Sequence, residues 1–284
     1  MNHISRFSVE TGEKLIQLKK TLRKMKSMMI AYSGGVDSTF LLKIAQEELG
    51  NKNKILAVTA CSAIFLPEEM KIAQQITQKL QVKHQIIDTT QLDNPSFFTN
   101  PPNRCYYCKK ELFSKLGYLA KENGLNFVVD GSNLDDLGDF RPGMQAAKEL
   151  GIRSPLIEVG LSKEEIRNLS RKMGLPTWNK PSQACLASRF PYGTKITRTA
   201  LRKVAEAEAF LKTLGISQVR VRYYGAWARI EVPVSQISRL VNEKIRSILI
   251  EKFKHIGYTY ITLDLEGYRQ GSMNLDLPIK KASP

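Results

Sequence analysis

No stretch of this chain approaches the ~18 uninterrupted apolar residues of a membrane-spanning helix. The first 26 residues are polar and lysine-rich, without the apolar centre and small-residue cleavage site of a secretory signal, so a cytoplasmic protein is expected. Histidine is scarce: His3, His84 and His255 lie far apart and show no zinc-type spacing. No Gly-Lys-Ser or Gly-Lys-Thr occurs, so a Walker phosphate loop is excluded. There is no internal repeat, no low-complexity segment and no block of Lys and Arg resembling a nucleic-acid tail. Four cysteines, Cys61, Cys105, Cys108 and Cys185, are present. In a cytoplasmic chain such cysteines point to metal or catalysis rather than structural disulfides.

What is there suits an enzyme-sized globular protein. The 284 residues allow a sizeable core in one large or two modest domains. Lys and Arg outnumber Asp and Glu by 43 to 27, a net charge of +16. That balance favours polyanionic partners: nucleic acid, nucleotides or phosphorylated small molecules.

Residues 27–32 read as a short buried strand, 55–60 as a continuous apolar run typical of a parallel strand covered on both faces, and 84–88 and 126–130 as a third and a fourth strand. Between them, helical spacing predicts helices at about 8–26, from Ser38 to a stop at Gly50, at 67–80 and at 109–122. Ser162 and Glu165 form a capping box opening a helix over 162–173. This alternation predicts an α/β fold with a doubly wound parallel sheet. Beyond Pro191 and Gly193 the character changes. A helix at 199–214, strands at 219–223 and 228–232, a helix at 235–255 and a strand at 258–263 predict a smaller α+β domain. The expected domains are 1–190 and 191–284.

The run Ser33-Gly34-Gly35-Val36-Asp37-Ser38 sits between a predicted strand and a predicted helix. Two glycines let the turn approach an anion, and the helix start aims free N–H groups at it. Ser33 and Ser38 add hydroxyls, and Asp37 is suited to Mg²⁺ or to the helix cap. Asp130, at a strand's carboxyl end with Gly131 after it, lies where such sheets bind ligands. Six positions matching SGGVDS resemble the PP-loop ATP pyrophosphatases. These include GMP synthetase, NAD synthetase, argininosuccinate synthetase and tRNA thiolation enzymes. The resemblance implies ATP and Mg²⁺ as cofactors and cleavage of ATP between its α and β phosphates, placing AMP on a substrate.

Cys105 and Cys108 form a C-x-x-C pair after the loop 100–104, with a helix following. Alone, the pair also reads as a chance pair or a redox dithiol. With Cys185 it gives three thiolates, one too few for a structural zinc site but suited to a 4Fe–4S cluster with one open iron. Cys61 reads as a small packing residue.

Residues 130–143 read DGSNLDDLGDFRPG, 184–193 read ACLASRFPYG, 219–222 read VRVR and 264–274 read DLEGYRQGSMN. With SGGVDS, these segments resemble the LarE family, sulfur transferases of nickel-pincer nucleotide synthesis. The resemblance runs from about residue 15 to 274. It implies a phosphorylated pyridinium substrate, pyridinium-3,5-dicarboxylate mononucleotide, one carboxylate of which is adenylated and then given sulfur. It also implies a homo-oligomer and no membrane or nucleic-acid partner. One branch of the family sacrifices the sulfur of a single cysteine, which would stand at Ala184 here; another carries C-x-x-C plus a third cysteine and a 4Fe–4S cluster. Cys105, Cys108 and Cys185 match the second pattern, with Cys185 and Asp37 in catalytic roles. Ser188 and Glu208 match family site positions. Arg189, Arg220 and Arg222 suit the phosphate and carboxylates of the substrate, since arginine pairs with both anions. Asp136 and Arg141 are expected near the nucleotide. A tRNA-thiolating enzyme of the same superfamily is the alternative.

Overall fold

The structure is a computed structural model that describes residues 3–50, 54–65, 67–138, 141–181, 184–216 and 218–274. Asp139 and Phe140 of the 130–143 segment, Ser182 and Gln183 before Cys185, and the last ten residues of the expected second domain lie outside them. The chain divides into two compact units. The first comprises 1–62, 67–91 and 105–183, and the second 63–66, 92–104 and 184–284.

In chain order the first unit is built from α1 (His3–Met25), β1 (Met28–Ala31), α2 (Val36–Leu49), β2 (Ile55–Cys61), α3 (Pro67–Lys79) and β3 (Lys83–Asp88). After the short α4 (Pro95–Phe98) of the second unit come α5 (Arg104–Glu122), β4 (Phe127–Val129), α6 (Pro142–Glu149), α7 (Pro155–Glu158) and α8 (Lys163–Lys172). Its four strands pair in parallel in the order β3-β2-β1-β4. Alternation along β1 explains the two layers. Met28 and Ile30 pack with Leu18, Leu22, Phe40 and Ile166 on one face. Met29 packs with Phe113 and Leu116 on the other. Each such fully buried side chain contributes about 1.5–3 kcal/mol. Both faces of β1 and β2 are therefore covered, which is why these two read as unbroken apolar runs, whereas the edge strand β3 is only partly buried.

The second unit contains α9 (Arg198–Thr213), β5 (Arg220–Tyr224), β6 (Trp227–Glu231), α10 (Val234–Val241), α11 (Glu243–Ile256) and β7 (Tyr260–Leu263). β5 and β6 form an antiparallel hairpin turning at Gly225, whose φ of 68° is the left-handed region that glycine enters freely. β7 joins β6 in parallel, with α10 and α11 as the crossover. Val221, Ala228, Ile230 and Phe253 form the core of this small α+β unit.

Two sequence expectations are corrected. The helix expected at 109–122 starts at Arg104, so Cys105 and Cys108 lie in its first turn rather than ahead of it. The turn from Pro101, whose carbonyl accepts the Arg104 N–H at 3.0 Å, already winds the chain into the helix. The single helix expected at 235–255 is two, α10 and α11, because the Asn242 side chain accepts the Lys244 N–H and caps a new start.

Candidate functional site

Strand order reverses between β1 and β4, and at such a switch point the carboxyl ends of parallel strands leave a crevice for ligands. The chain after β1 is Ser33–Ser38, and the chain after β4 is Asp130 and Gly131. Gly34 has φ 67°, and a Cβ there would meet the Ala73 methyl at 3.2 Å. At Gly131 a Cβ would lie 2.9 Å from the Ser38 backbone nitrogen. The second glycine therefore lets the end of β4 press against the first turn of α2. Within the loop, the Ser33 and Ser38 hydroxyls lie 3.0 Å apart, and the Gly35 N–H donates to Ser33 Oγ at 3.3 Å.

Asp37 stands in the first turn of α2, but the helix cap is Gly35 and no side chain bonds it. The expected capping role of Asp37 therefore falls away, because the extended Gly35 backbone makes the entry to the helix by itself. One Asp37 oxygen accepts from Lys163 Nζ. The other, Oδ1, is buried without a hydrogen-bond partner among the described residues. An orphaned carboxylate oxygen beside a phosphate-type loop fits Mg²⁺, which takes one or two carboxylates and fills its octahedron with water and substrate phosphate. No preformed cage is needed, and among the described residues none exists.

Asp130 is oriented by serines: Ser154 Oγ donates to its Oδ1 and Ser132 Oγ to its Oδ2, each at 2.7 Å. Asp136 accepts the Asn133 N–H at 3.0 Å and pairs with Arg141 at 2.9 Å. Burial pushes the Asp136 carboxyl above its ordinary value, with the Asp37 charge adding to the rise. Lys163 and Lys180 were not singled out from the sequence. Lys180 Nζ donates to the Gly34 carbonyl at 3.1 Å, so two lysines reach the loop. A signal existed for one of them. Lys163 opens α8, where the helix dipole disfavours a cation unless an anion waits nearby.

The second unit gathers Cys185, Ser188, Arg189, Glu208, Arg220 and Arg222. Cys185 is half-buried and precedes a single 3₁₀ turn, Leu186–Arg189. Arg189 Nη1 donates to the carbonyls of Ala184 at 2.7 Å and Cys185 at 3.1 Å, and to Ser188 Oγ at 3.0 Å. Arg222 Nη1 holds the Ser188 carbonyl at 3.0 Å. Its Nη2 donates to Glu231 at 2.5 Å and to Ser272 Oγ at 2.9 Å. Glu231 and Ser272 also escaped the sequence, where they look like ordinary positions of a strand and a loop. Arg220 and Arg222 are both buried, as are Val219 and Val221, so both faces of the start of β5 are covered. Burial lowers the Arg220 pKa, and the neighbouring Arg189 charge lowers it further. A bound anion would reverse both effects.

Cys105 and Cys108, at i and i+3 in the first turn of α5, share one helix face in the first unit. All four cysteines are thiols. Within either unit, among the described residues, no three His, Cys, Asp or Glu side chains gather around a metal position. Three thiols as a donor set suit iron.

A family profile described as NAD synthase matches residues 9–101. An uncharacterized protein of Synechocystis sp. is 48% identical over 92% of this chain and 97% of its own length. The pyridinium-3,5-bisthiocarboxylic acid mononucleotide synthase of Lactiplantibacillus plantarum is 37% identical over 90% of this chain and 92% of its own. The chain belongs to the LarE family. A tRNA-specific 2-thiouridylase of Rickettsia africae is more distant, 26% identical over 56% of this chain and 53% of its own. The LarE likeness thus takes in both units, and the NAD synthase match ends within the first 101 residues. ATP and Mg²⁺ are the cofactors to which this LarE-family loop is suited. Among the described residues no helix is long and apolar enough to cross a membrane.

Proposed function

We propose that the protein uses ATP to activate a carboxylate of pyridinium-3,5-dicarboxylate mononucleotide and replaces one of its oxygens with sulfur. The likeness to the L. plantarum synthase along nearly the whole chain carries this assignment. The loop geometry supports it. A carboxylate oxygen attacks the α-phosphorus of ATP, the α–β phosphoanhydride bond breaks and pyrophosphate leaves. The N–H groups at the start of α2 and the Ser33 and Ser38 hydroxyls receive the pyrophosphate, and Asp37 would hold Mg²⁺, which would stabilise the leaving charge. Asp130 and Gly131 border the nucleotide. A sulfide-level sulfur then attacks the acyl carbon, the bond to AMP oxygen breaks, and a thiocarboxylate and AMP result. Ser188, Arg189, Glu208, Arg220 and Arg222 form the substrate-binding group, and residues 191–284 are the substrate-binding and oligomerisation domain of a cytoplasmic homo-oligomer.

Cys105, Cys108 and Cys185 would hold a 4Fe–4S cluster, which would supply sulfide-level sulfur. Anaerobic purification with iron and sulfide analysis tests this separately. An iron-free protein that still transfers sulfur would move the source to the Cys185 thiol itself.

The main assignment is tested by incubating the protein with ATP and the dicarboxylate mononucleotide. Pyrophosphate release that depends on the mononucleotide, with oxygen-to-sulfur exchange seen by mass spectrometry, is expected. Release without the mononucleotide, or no exchange, would refute it. The net charge of +16 favours one other substrate class, tRNA. Tight, steeply salt-dependent binding of bulk tRNA would support that instead.

A further inference from the structure

Arg104 is 6% exposed and lies in the second unit, in the segment 92–104. Its guanidinium carbon sits 4.8 Å above the centre of the Tyr192 ring. The Tyr192 hydroxyl donates to Asn274 Oδ1 at 2.9 Å, which fixes the ring. The segment itself is tied down. Asn100 Nδ2 donates to the Phe190 and Pro191 carbonyls at 3.3 and 2.7 Å, and the Gly193 N–H donates to the Asn100 carbonyl at 2.9 Å. The guanidinium is thus held by its face in a firm frame. Its edges are a different matter. Nε and Nη1 are shut from solvent and have no hydrogen-bond partner among the described residues. Among the described residues, no carboxylate pairs with Arg104, in contrast to Arg189 and Arg222.

A buried, uncompensated cation is strongly unfavourable, and arginine in proteins keeps its charge. Nearly every buried donor in a native fold has an acceptor. Stacking on an aromatic face engages the π-surface and not the planar N–H edges, which here lack an acceptor and match two oxygens of one oxyanion. We infer that Arg104 is a binding site for a phosphate-type oxyanion, stacked on Tyr192 and recognised through its N–H edges. This site is additional to the SGGVDS loop and to the Arg220–Arg222 pair. It stands on the orphaned guanidinium and does not depend on ATP or sulfur chemistry. Two sources offer the same chemistry, a sugar phosphate such as a mononucleotide carries, and free phosphate.

Full-length protein, without ATP, is labelled on its arginine side chains and titrated with ribose 5-phosphate or with inorganic phosphate. The Nε–H resonance of Arg104, assigned by its loss in Arg104→Lys, should shift saturably. By calorimetry, Arg104→Gln should lose that binding by about tenfold or more in affinity, with Arg104→Lys intermediate because it keeps the charge without the fork. Tighter binding of ribose 5-phosphate would identify a sugar phosphate as the ligand, and equal binding would identify free phosphate. An Arg104 resonance that stays still at saturating anion, or undiminished binding in a folded Arg104→Gln protein, would overturn the site. Either failure leaves the sulfur-transfer assignment standing.

Discussion

Arg189 and Glu208 form a two-pronged pair, Nε to Oε1 and Nη2 to Oε2 at 2.8 Å each, with 2% and 1% of each residue exposed. Oε1 also accepts the Val221 N–H at 2.9 Å. The pair therefore joins α9, β5 and the turn carrying Cys185. Burial works against the Arg189 charge, but the bonds to Glu208 outweigh it and raise the pKa above the ordinary arginine value. Arg189 spends four of its five N–H groups on this frame and keeps one Nη2 hydrogen for another partner.

Glu208→Gln leaves that buried guanidinium without its counter-charge. Loss of about 3–5 kcal/mol of unfolding free energy is expected in denaturant titrations. The Cys185 turn should also loosen, so alkylation of Cys185 by iodoacetamide, followed by peptide mass spectrometry, should speed up. A stability change under about 1 kcal/mol, the size seen for exposed ion pairs, would show that the pair does not hold the turn.

Gly131→Ala is a sharper test of the nucleotide crevice. The added methyl would stand 2.9 Å from Ser38 N and 3.0 Å from Ser38 Cα, both backbone atoms that cannot swing away. The end of β4 or the start of α2 must shift. Destabilisation of about 1–3 kcal/mol, together with weakened ATP binding, is expected by thermal melting with and without ATP. Unchanged melting and affinity would mean that the two loops do not press together as described.

The central strands were legible because both of their faces are buried, so β1 and β2 appear as unbroken apolar runs without polar alternation to blur them. The Ser162 capping box was legible because both of its partners lie within four residues, and both of its hydrogen bonds form. Interactions between distant positions were not legible. Glu208 looks like one more acid on an amphipathic helix, and its partner lies 19 residues earlier. Glu231 lies nine residues from Arg222, and Ser272 lies 50 from it. The start of α5 was missed because two prolines at 101 and 102 suggest a loop, although the turn beginning at Pro101 leads straight into the helix.

Lys163 supplies the test of charge at the phosphate loop. It pairs with Asp37 and keeps 28% of its side chain exposed, so it can turn to an arriving phosphate at modest cost. The loop has no lysine of its own. Lys163→Met should raise the KM for ATP about tenfold, worth about 1.4 kcal/mol of binding, with little change in melting temperature. Initial rates of pyrophosphate release against ATP concentration decide the point. An unchanged KM would leave Lys163 as a partner of Asp37 alone.

His84 gives a pH test that is independent of catalysis. The Thr59 hydroxyl lies 2.8 Å from the Tyr32 carbonyl and 2.8 Å from His84 Nε2. Its one hydrogen goes to the carbonyl, so it accepts from Nε2–H, and the neutral ring keeps its proton on that nitrogen. Burial lowers the His84 pKa below the ordinary 6.5. The unfolded chain thus binds the proton first as pH falls. The contribution to stability is present above about pH 6.5 and is lost as pH drops through the depressed folded value. His84→Gln can still donate to Thr59 but does not titrate. Its melting temperature should therefore fall less steeply than that of the wild type on acidification below pH 6.5, when both are followed by circular dichroism. Parallel slopes for the two proteins would show that His84 is not held neutral against the Thr59 hydroxyl.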